Sequence, residues 1–416
     1  MVKIVEKEDS NSKITAFRFT VSYFLFSLLW MGGLAIVIAV LLPQHLRDVV
    51  GVKSSTAIFG IFNATSAVAS LLSNLIVGNL SDRTRSRFGQ RTPWIIIGGI
   101  VAGTSLFLVG VVQNVWLMGV IYSLSMVGLN MMIAPAMATL SDRVPETIRA
   151  TTSAMFSAGT TVGTSLGTLI GARFISQQMP GFITAGLMMA IAGVATIIVW
   201  PREGTSQNLP PIATGFKELL ISFRPPLKGA RDFWLAFLGR SFLIFAYYMV
   251  LNYQLYILLS YIGQSEKEAA TTISIMSIVT MVVGLSGSLI SGRLSDKFGR
   301  RKLPVNFATV LMVIGFTAPW ILKTSFSMIL FAGFAGLGYA IYSAVDQALN
   351  IDVLPNKEES GKDLGILNIA TTLGQTAGPI FTSILVVIGG YTLVFPTAIV
   401  FSCLAMIFIQ LIRSTK

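Results

Sequence analysis

Long apolar stretches separated by short polar loops fill most of the 416-residue chain. A bilayer core of roughly 30 Å needs about 20 apolar residues in a helix. Twelve stretches meet this requirement, near 20–42, 56–78, 94–112, 115–140, 150–174, 182–200, 233–259, 270–292, 305–322, 327–349, 365–388 and 392–412. They stay apolar through whole windows, whereas the strands of a membrane barrel alternate in runs of about ten residues. The pattern predicts an all-α membrane protein with twelve transmembrane helices.

Composition agrees with this pattern. Hydrophobic side chains make up 53% of the chain and charged ones only 12%, against roughly 25% charged residues in an average soluble protein. A soluble globular fold and a disordered chain are both excluded by these values. The single cysteine, Cys403, excludes a disulfide scaffold.

The net charge of +12 is concentrated in particular loops. Most of the Lys and Arg residues precede the first predicted helix, follow the last one, or lie in loops on that same side, including 81–93, 201–232 and 293–304. By the positive-inside rule, both termini are expected to be cytoplasmic in a multi-pass protein of the cell (inner) membrane. The charge is therefore a topology signal and does not indicate a nucleic-acid partner.

The chain also repeats itself. Gly78-Asn-Leu-Ser-Asp-Arg83 returns as Gly292-Arg-Leu-Ser-Asp-Lys297, and Asp142 with Pro145 returns as Asp352 with Pro355. The repeat pairs loop 2–3 with loop 8–9 and loop 4–5 with loop 10–11. We therefore expect two pseudo-symmetric six-helix bundles, 1–200 and 232–416, joined by a cytoplasmic linker at 201–231. This is a transporter plan in which two halves rock about a central site.

These loops carry a family resemblance. The Gly-x-Leu-Ser-Asp-Arg/Lys loops resemble the signature loop of the major facilitator superfamily. Ser81–Pro93 is similar to the corresponding loop of sucrose transporters, relatives of the glycoside/pentoside/hexuronide cation symporters, and Leu364–Ala370 followed by Gln375 is similar to another stretch of these carriers. The resemblance implies the major facilitator fold, a monomer, a cavity lined by helices 1, 4, 7 and 10, and proton-coupled sugar transport.

Two departures from the sucrose carriers concern coupling. Met126 and Met137 stand where those carriers have an acidic residue and an arginine on helix 4. Either the coupling group lies on another helix or the substrate differs. Helix 1 has no charged residue after Arg18, which disfavours the sodium site of melibiose-type carriers.

Acidic and basic residues at the cytoplasmic helix ends are candidates for a gate. An acidic side chain there can pair with nearby arginines or accept bonds from a helix start, and so hold the inward side closed. The alternative is that the charges only set the topology. The candidates are Asp82, Arg83, Arg91, Asp142, Arg149, Asp296, Arg300 and Arg301.

Two charged residues lie inside apolar stretches, where an ionisable group is costly and is by default a functional candidate. Arg240 lies about eight residues, or ~12 Å, into helix 7, and Asp346 lies about six residues, or ~9 Å, before Asp352 in helix 10. Their similar depth allows a contact. We expect Asp346 to take up the coupling proton and Arg240 to pair with it; the alternative is a purely structural pair.

Polar residues on several helices are candidate substrate ligands. On helix 10, Tyr339, Tyr342, Ser343, Asp346 and Asn350 form one stripe at helical spacing. Tyrosines beside amides suit a sugar, which needs hydrogen-bond partners and an aromatic plane for its apolar face. The alternative is that such residues hold helices together. The candidates are Trp30, Asn130, Tyr247, Asn252, Gln254, Tyr342, Gln347, Asn350, Asn368 and Gln375.

The sequence shows no nucleotide-binding loop, metal cluster or nucleophile with its base, so we expect neither a cofactor, a metal nor an enzyme activity. The expected function is proton-coupled symport of a sugar or glycoside by alternating access, with a small molecule, the proton and the lipid bilayer as partners. Two alternatives stay open. One is proton-antiport export of amphipathic compounds, which the Met-rich helix 4 suits, and the other is uptake of an anionic solute with Arg240 as counter-charge.

Overall fold

The computed structural model describes residues 2–207, 226, 230–298, 302–354 and 360–413, and the regular structure in these ranges is helical. The main helices are α1 (Val2–Ile36), α2 (Leu42–Arg83), α3 (Thr92–Val109), α4 (Val115–Asp142), α5 (Glu146–Arg173), α6 (Gln178–Val199), α7 (Arg231–Leu251), α8 (Glu266–Phe298), α9 (Lys302–Leu322), α10 (Ser325–Asp352), α11 (Ser360–Gly389) and α12 (Val394–Gln410). The all-α fold expected from the apolar stretches is confirmed.

Short non-α segments connect some of these helices. A π-helical segment, Val37–Leu41, joins α1 to α2, and a second one, Ile257–Ile262, follows α7 after the helical turn Gln254–Tyr256. A 3-10 turn, Tyr391–Leu393, precedes α12. Inside α2, Gly51 has φ 80° and ψ 164°, a backbone conformation that glycine adopts readily and that interrupts the helix.

Ten segments of the described residues are long and apolar enough to cross a bilayer. The first extends over 70 residues from Ile14 to Arg83, or about 105 Å of helix, more than three times the hydrocarbon thickness. It is therefore long enough for two crossings, one on each side of the break at Gly51. The protein is a multi-pass membrane protein.

Helix α5 is not among the ten because serine and threonine are frequent in it. Three of its threonine hydroxyl groups are nevertheless satisfied within the helix, since Thr160, Thr164 and Thr168 each donate to the backbone carbonyl four residues earlier, at 2.8–2.9 Å. A threonine that bonds its own helix does not need water. The sequence of α5 is thus compatible with the bilayer crossing expected for 150–174.

The chain divides into two compact units, and each repeats the same helix pairing. Unit 1 comprises Met1–Gly51 and Thr65–Ile212, and unit 2 comprises Val52–Ala64 and Ala213–Lys416. In unit 1, α1 packs on α5 and α6, and α3 packs on α4 and α6. In unit 2, α7 packs on α11 and α12, and α9 packs on α10 and α12. The second set is the first one shifted by six helices, as expected for two related bundles.

Glycines make the α1–α5 and α7–α11 contacts close. A Cβ added to Gly163 of α5 would lie 2.6 Å from the carbonyl oxygen of Leu28, and one added to Gly378 of α11 would lie 2.7 Å from that of Phe245. Gly159, Gly167 and Gly171 continue the α5 row against α1. Small residues let helix backbones approach in membrane bundles, so α11 is held directly against α7, where the candidate site lies.

Candidate substrate and proton site

A buried ion pair connects α7 and α10 in unit 2. Arg240 Nη1 lies 2.9 Å from Asp346 Oδ2, and the two side chains are only 7% and 6% exposed. The structure thus brings together the two charges that sequence places inside apolar stretches. Moving such charges out of water is costly, and their mutual attraction offsets this cost only if further hydrogen bonds satisfy both groups.

Three donors surround the Asp346 carboxylate. Besides Arg240, the Tyr342 hydroxyl donates to Oδ1 at 2.6 Å, and Asn350 Nδ2 donates to Oδ2 at 3.0 Å. Tyr342 and Asn350 lie one helical turn before and after Asp346, which places all three on one face of α10. Both carboxylate oxygens are therefore hydrogen-bonded within the protein.

Helix α11 supplies a partner for the arginine. Arg240 Nε donates to Thr371 Oγ1 at 2.7 Å. Thr371 was not among the candidate ligands from the sequence, although it belongs to a polar face of α11 that also carries Gln375. Its spacing from Gln375, one helical turn, was the signal that could have identified it.

A group of tyrosines lies next to the ion pair. The rings of Tyr247 on α7 and Tyr339 on α10 are stacked, with centroids 4.3 Å apart and planes 4° apart. Tyr248 meets Tyr339 edge to face at 6.3 Å, and Gln375 Nε2 lies 3.1 Å from the Tyr248 hydroxyl, to which it donates. Tyr248, Tyr339 and Gln375 are half-buried. Aromatic planes and an amide thus adjoin the charges. Tyr339 belongs to the helix 10 stripe that the sequence shows, whereas Tyr248 was not among the candidate ligands.

The structure says less about the other candidate ligands of unit 2. Asn252 is half-buried at the end of α7, and Gln254 is buried in the following turn. The side chains of Gln347 and Asn368 lie outside the described residues. The candidate site of unit 2 is therefore built from α7, α10 and α11.

Two candidates lie in unit 1. Trp30 on α1 is 9% exposed, and its indole Nε1 is buried without a hydrogen-bond partner among the described residues. Asn130 on α4 donates to Ser70 Oγ at 2.7 Å and to the Met126 carbonyl at 2.8 Å. Asn130 therefore ties α4 to α2, which is the contact expected of a residue that holds helices together.

Several gate candidates meet at one end of unit 1. Arg91 Nη2 lies 2.8 Å from Asp142 Oδ2, while its Nη1 pairs with Asp82 and donates to Ser81 Oγ at 2.9 Å. The Arg91 side chain is 10% exposed, but those of Asp82 and Asp142 are 46% and 50% exposed. One guanidinium thus joins the end of α2 to the end of α4; we call Asp82, Arg91 and Asp142 the gate cluster.

Glu203 reinforces this end of unit 1 and was missed by the sequence analysis. Its carboxylate accepts from the backbone N–H groups of Gln90, Arg91 and Thr92 at 2.9–3.2 Å and from the Thr92 hydroxyl at 2.8 Å. It therefore caps the start of α3, where the free N–H groups and the helix dipole favour an anion.

Arg143 fixes the same segment from the end of α4. Its Nη2 donates to the carbonyls of Pro201 and Arg202 at 2.6 and 3.1 Å. Burial lowers the pKa of this guanidinium, while the charge of Glu203 raises it. The short stretch after α6 is thus attached to loop 2–3 and loop 4–5 of its own unit.

The remaining gate candidates are Arg83, Arg149, Asp296, Arg300 and Arg301. Arg149 donates to the carbonyls of Ser141 and Val144 at 3.0 and 3.3 Å, and Arg83 is exposed. The side chain of Asp296 and the whole of Arg300 and Arg301 lie outside the described residues.

The model of the Major Facilitator Superfamily matches residues 19–285 and 241–416. The chain belongs to the major facilitator superfamily. The family and fold are those of secondary transporters and not of enzymes, so this superfamily member carries a small-molecule substrate across a membrane.

Part of the chain is similar in sequence to a transporter of a yeast. An uncharacterized transporter of Schizosaccharomyces pombe is 29% identical over 128 residues, which are 31% of this chain and 26% of that protein. The match thus spans about a quarter of the relative's length.

Solved structures of superfamily transporters resemble the whole chain. The nucleoside transporter NupG has a TM-score of 0.74 at 15% identity, covering 96% of this chain and 100% of the other. A bacterial homolog of the human lysosomal transporter Spinster reaches 0.70 at 15% identity, with 96% of each chain covered. The human organic anion transporter TETRAN reaches 0.68 at 16%, covering 96% and 99%. At these identities the likeness is one of fold.

Proposed function

We propose that this transporter is a proton-coupled symporter of a neutral sugar or glycoside, in the branch of the glycoside/pentoside/hexuronide cation symporters and sucrose transporters. The observation that supports this proposal most is the buried Arg240–Asp346 pair beside the tyrosines of α7 and α10. A symporter needs a group that exchanges a proton within reach of its substrate, and a carboxylate removed from water is suited to that task.

Charge balance favours a neutral substrate. Asp346 compensates Arg240 at 2.9 Å, and a further contact of the arginine, from Nε to Thr371, is with an uncharged hydroxyl. A neutral substrate can therefore bind beside the pair without adding an uncompensated charge, which would be costly at this depth. An anionic substrate would have to displace Asp346 from Arg240.

The tyrosines and amides favour a sugar. The half-buried rings of Tyr248 and Tyr339 provide faces for the apolar side of a pyranose, and Gln375 and the tyrosine hydroxyls can both donate and accept. The Met-rich helix α4 supports the export alternative less, because Met126 and Met132 are buried while Met137 is exposed. These thioethers do not present one common surface.

Coupling follows from the electrostatics of the pair. Movement of α7 against α10, or competition by a substrate hydroxyl for Arg240, would leave the buried carboxylate without its counter-charge. A proton bound to Asp346 removes that cost. Asp346 is thus proposed to be ionised when paired with Arg240 and protonated when the pair is separated, so that proton and substrate move together.

The proposal includes an arrangement in the membrane. Residues 1–200 and 232–416 form the two transport halves, residues 201–231 and both termini are cytoplasmic, and the protein acts as a monomer in the inner membrane. The gate cluster closes the cytoplasmic side, and its contacts break when that side opens. The positive charge of loops 81–93 and 201–232 supports this orientation.

The proposal is tested in proteoliposomes with an alkaline interior and zero membrane potential. Disaccharides, glycosides and sugar acids are added outside, and internal pH and solute are followed for wild type and Asp346→Asn. We expect one neutral sugar to accumulate with proton entry in wild type. Asp346→Asn should lose accumulation but still equilibrate and exchange that sugar, because the amide resembles the protonated carboxyl group of the cycle but cannot release a proton.

Glu146→Gln is the matched control, since it makes the same chemical change at a side chain that is 89% exposed, and it should behave like wild type. Accumulation by Asp346→Asn would contradict the assignment of the proton to this residue. Uptake of sugar acids alone, or depletion of a solute against the gradient, would contradict symport of a neutral sugar.

A further inference from the structure

The donors around Asp346 are already occupied. The Tyr342 hydroxyl lies 2.6 Å from Oδ1 and is directed at it, and Tyr342 is 2% exposed. A phenol has one proton to donate. While Tyr342 bonds the carboxylate, it therefore has no proton to offer to a substrate hydroxyl, and its burial leaves little surface for contact with one.

Asn350 is committed in the same way. The residue is fully buried, its Nδ2 donates to Asp346 Oδ2 at 3.0 Å, and its Oδ1 is buried without a hydrogen-bond partner among the described residues. An unpaired buried carbonyl is costly. This orientation of the amide leaves Oδ1 unpaired, but it directs the NH2 group at the carboxylate. An ionised carboxylate can only accept hydrogen bonds, so it needs the NH2 group and not Oδ1.

We propose that Tyr342 and Asn350 are positioning residues for Asp346 and not ligands of the transported substrate. The inference rests on the proposed function, in which Asp346 carries the coupling proton. The two residues hold the carboxylate toward Arg240 and stabilise its ionised form, since hydrogen bonds to a charged group favour that charge. They thereby set the pH at which the carrier accepts its proton.

The groups that face Asp346 support this positioning role of Tyr342 and Asn350. Arg240 from α7 and Tyr342 from α10 are the titratable groups in direct contact, and α11 contributes the uncharged Thr371 through Arg240. No charged side chain of α8 or α9 contacts the carboxylate in the part of the chain that is described. Tyr339, one turn before Tyr342, instead stacks on Tyr247, so it provides a matched tyrosine without a bond to the carboxylate.

The test is infrared difference spectroscopy of the lipid-reconstituted protein during a pH titration, without any substrate. The carbonyl stretching band of a protonated carboxylic acid reports Asp346 if Asp346→Asn abolishes it. Tyr342→Phe and Asn350→Leu should each move the midpoint of this band to higher pH by about one unit, a tenfold gain in proton affinity equal to about 1.4 kcal/mol. Tyr339→Phe should leave the midpoint unchanged.

The pH profile of transport should follow the band. In Tyr342→Phe its alkaline limb should move upward by the same amount, with little change in KM for the sugar at low pH. An unshifted band and a KM raised at every pH, with coupled transport retained, would overturn the positioning role but leave symport intact. A wild type without an Asp346-dependent band would overturn both. Asn350→Leu decides the matter if Tyr342→Phe does not fold.

Discussion

The gate cluster of unit 1 and the buried pair of unit 2 both consist of arginine–aspartate ion pairs, but their surroundings differ. Arg91 joins Asp82 and Asp142, whose side chains are 46% and 50% exposed. Arg240 joins Asp346, and both are below a tenth exposed. Water competes for the first set of contacts and is excluded from the second.

This difference determines how each contact can act. An exposed ion pair contributes roughly 0–1 kcal/mol, because water and salt replace it readily. Such contacts can break and re-form with little cost, as the proposed gate would require. Breaking a buried pair leaves an isolated charge in a low dielectric, at a cost of several kcal/mol. Such a pair separates only if something else, such as a proton, neutralises the charge.

The largest effect is expected from removing one half of the buried pair. Arg240→Gln leaves the Asp346 carboxylate buried without its counter-charge and should lower the free energy of unfolding by about 3–5 kcal/mol. Adding Asp346→Asn removes the remaining charge and should restore most of this loss. Unfolding of the purified protein in mixed micelles measures both.

The matched control for this prediction is Arg231→Gln on the same helix. Arg231 is 52% exposed and 3.5 Å from Asp232, so its loss should change the free energy of unfolding by no more than about 0.5 kcal/mol. Equal effects of Arg231→Gln and Arg240→Gln would abolish the contrast between exposed and buried pairs.

A smaller effect is expected at the gate cluster. Arg91→Gln removes two ion pairs that contribute up to about 1 kcal/mol each, and should lower the free energy of unfolding by about 1–2 kcal/mol. Because the two carboxylates are half-exposed, the difference in unfolding free energy from wild type should shrink as salt rises to about 1 M, where the Debye length is only about 3 Å. Arg87→Gln, at an exposed arginine of the same loop, should show neither effect. A loss at Arg91 that is independent of salt would mean that the cluster behaves as a buried pair.

The smallest effect is expected at the cap of α3. In Glu203→Gln one carboxylate oxygen becomes an NH2 group that cannot accept from the N–H groups of residues 90–92, and the negative charge at the helix start is lost. We expect a loss of about 1 kcal/mol in local stability. Faster hydrogen exchange at Arg91 and Thr92, but not elsewhere, would measure it; unchanged exchange would show that water replaces the cap.

The helices and the depth of the charges could be predicted from sequence because each depends on local pattern. A run of 20 apolar residues has few structures available in a bilayer. An ionisable residue inside such a run, such as Arg240 or Asp346, must lie near a partner. Helical spacing also places Tyr342 and Asn350 one turn on either side of Asp346.

What pattern could not provide is the choice of partner. Tyr342 lies one turn from Asp346. At that spacing its hydroxyl can reach the carboxylate or point into a cavity, and the sequence does not distinguish the two. The contacts of Thr371 and Glu203 could not be predicted for a related reason. Their partners lie 131 and 111–113 residues away, and nothing in the local sequence indicates a contact at that distance.

The glycine row of α5 has a consequence for proton leakage. A Cβ added at Gly163 or Gly171 would come within 3 Å of an α1 carbonyl oxygen, so the two backbones leave no gap of the size of a methyl group there. A water molecule needs a void of about 10–15 Å³ with polar partners. A file of water therefore has no room at these glycines, so protons cannot pass along this part of the α1–α5 contact.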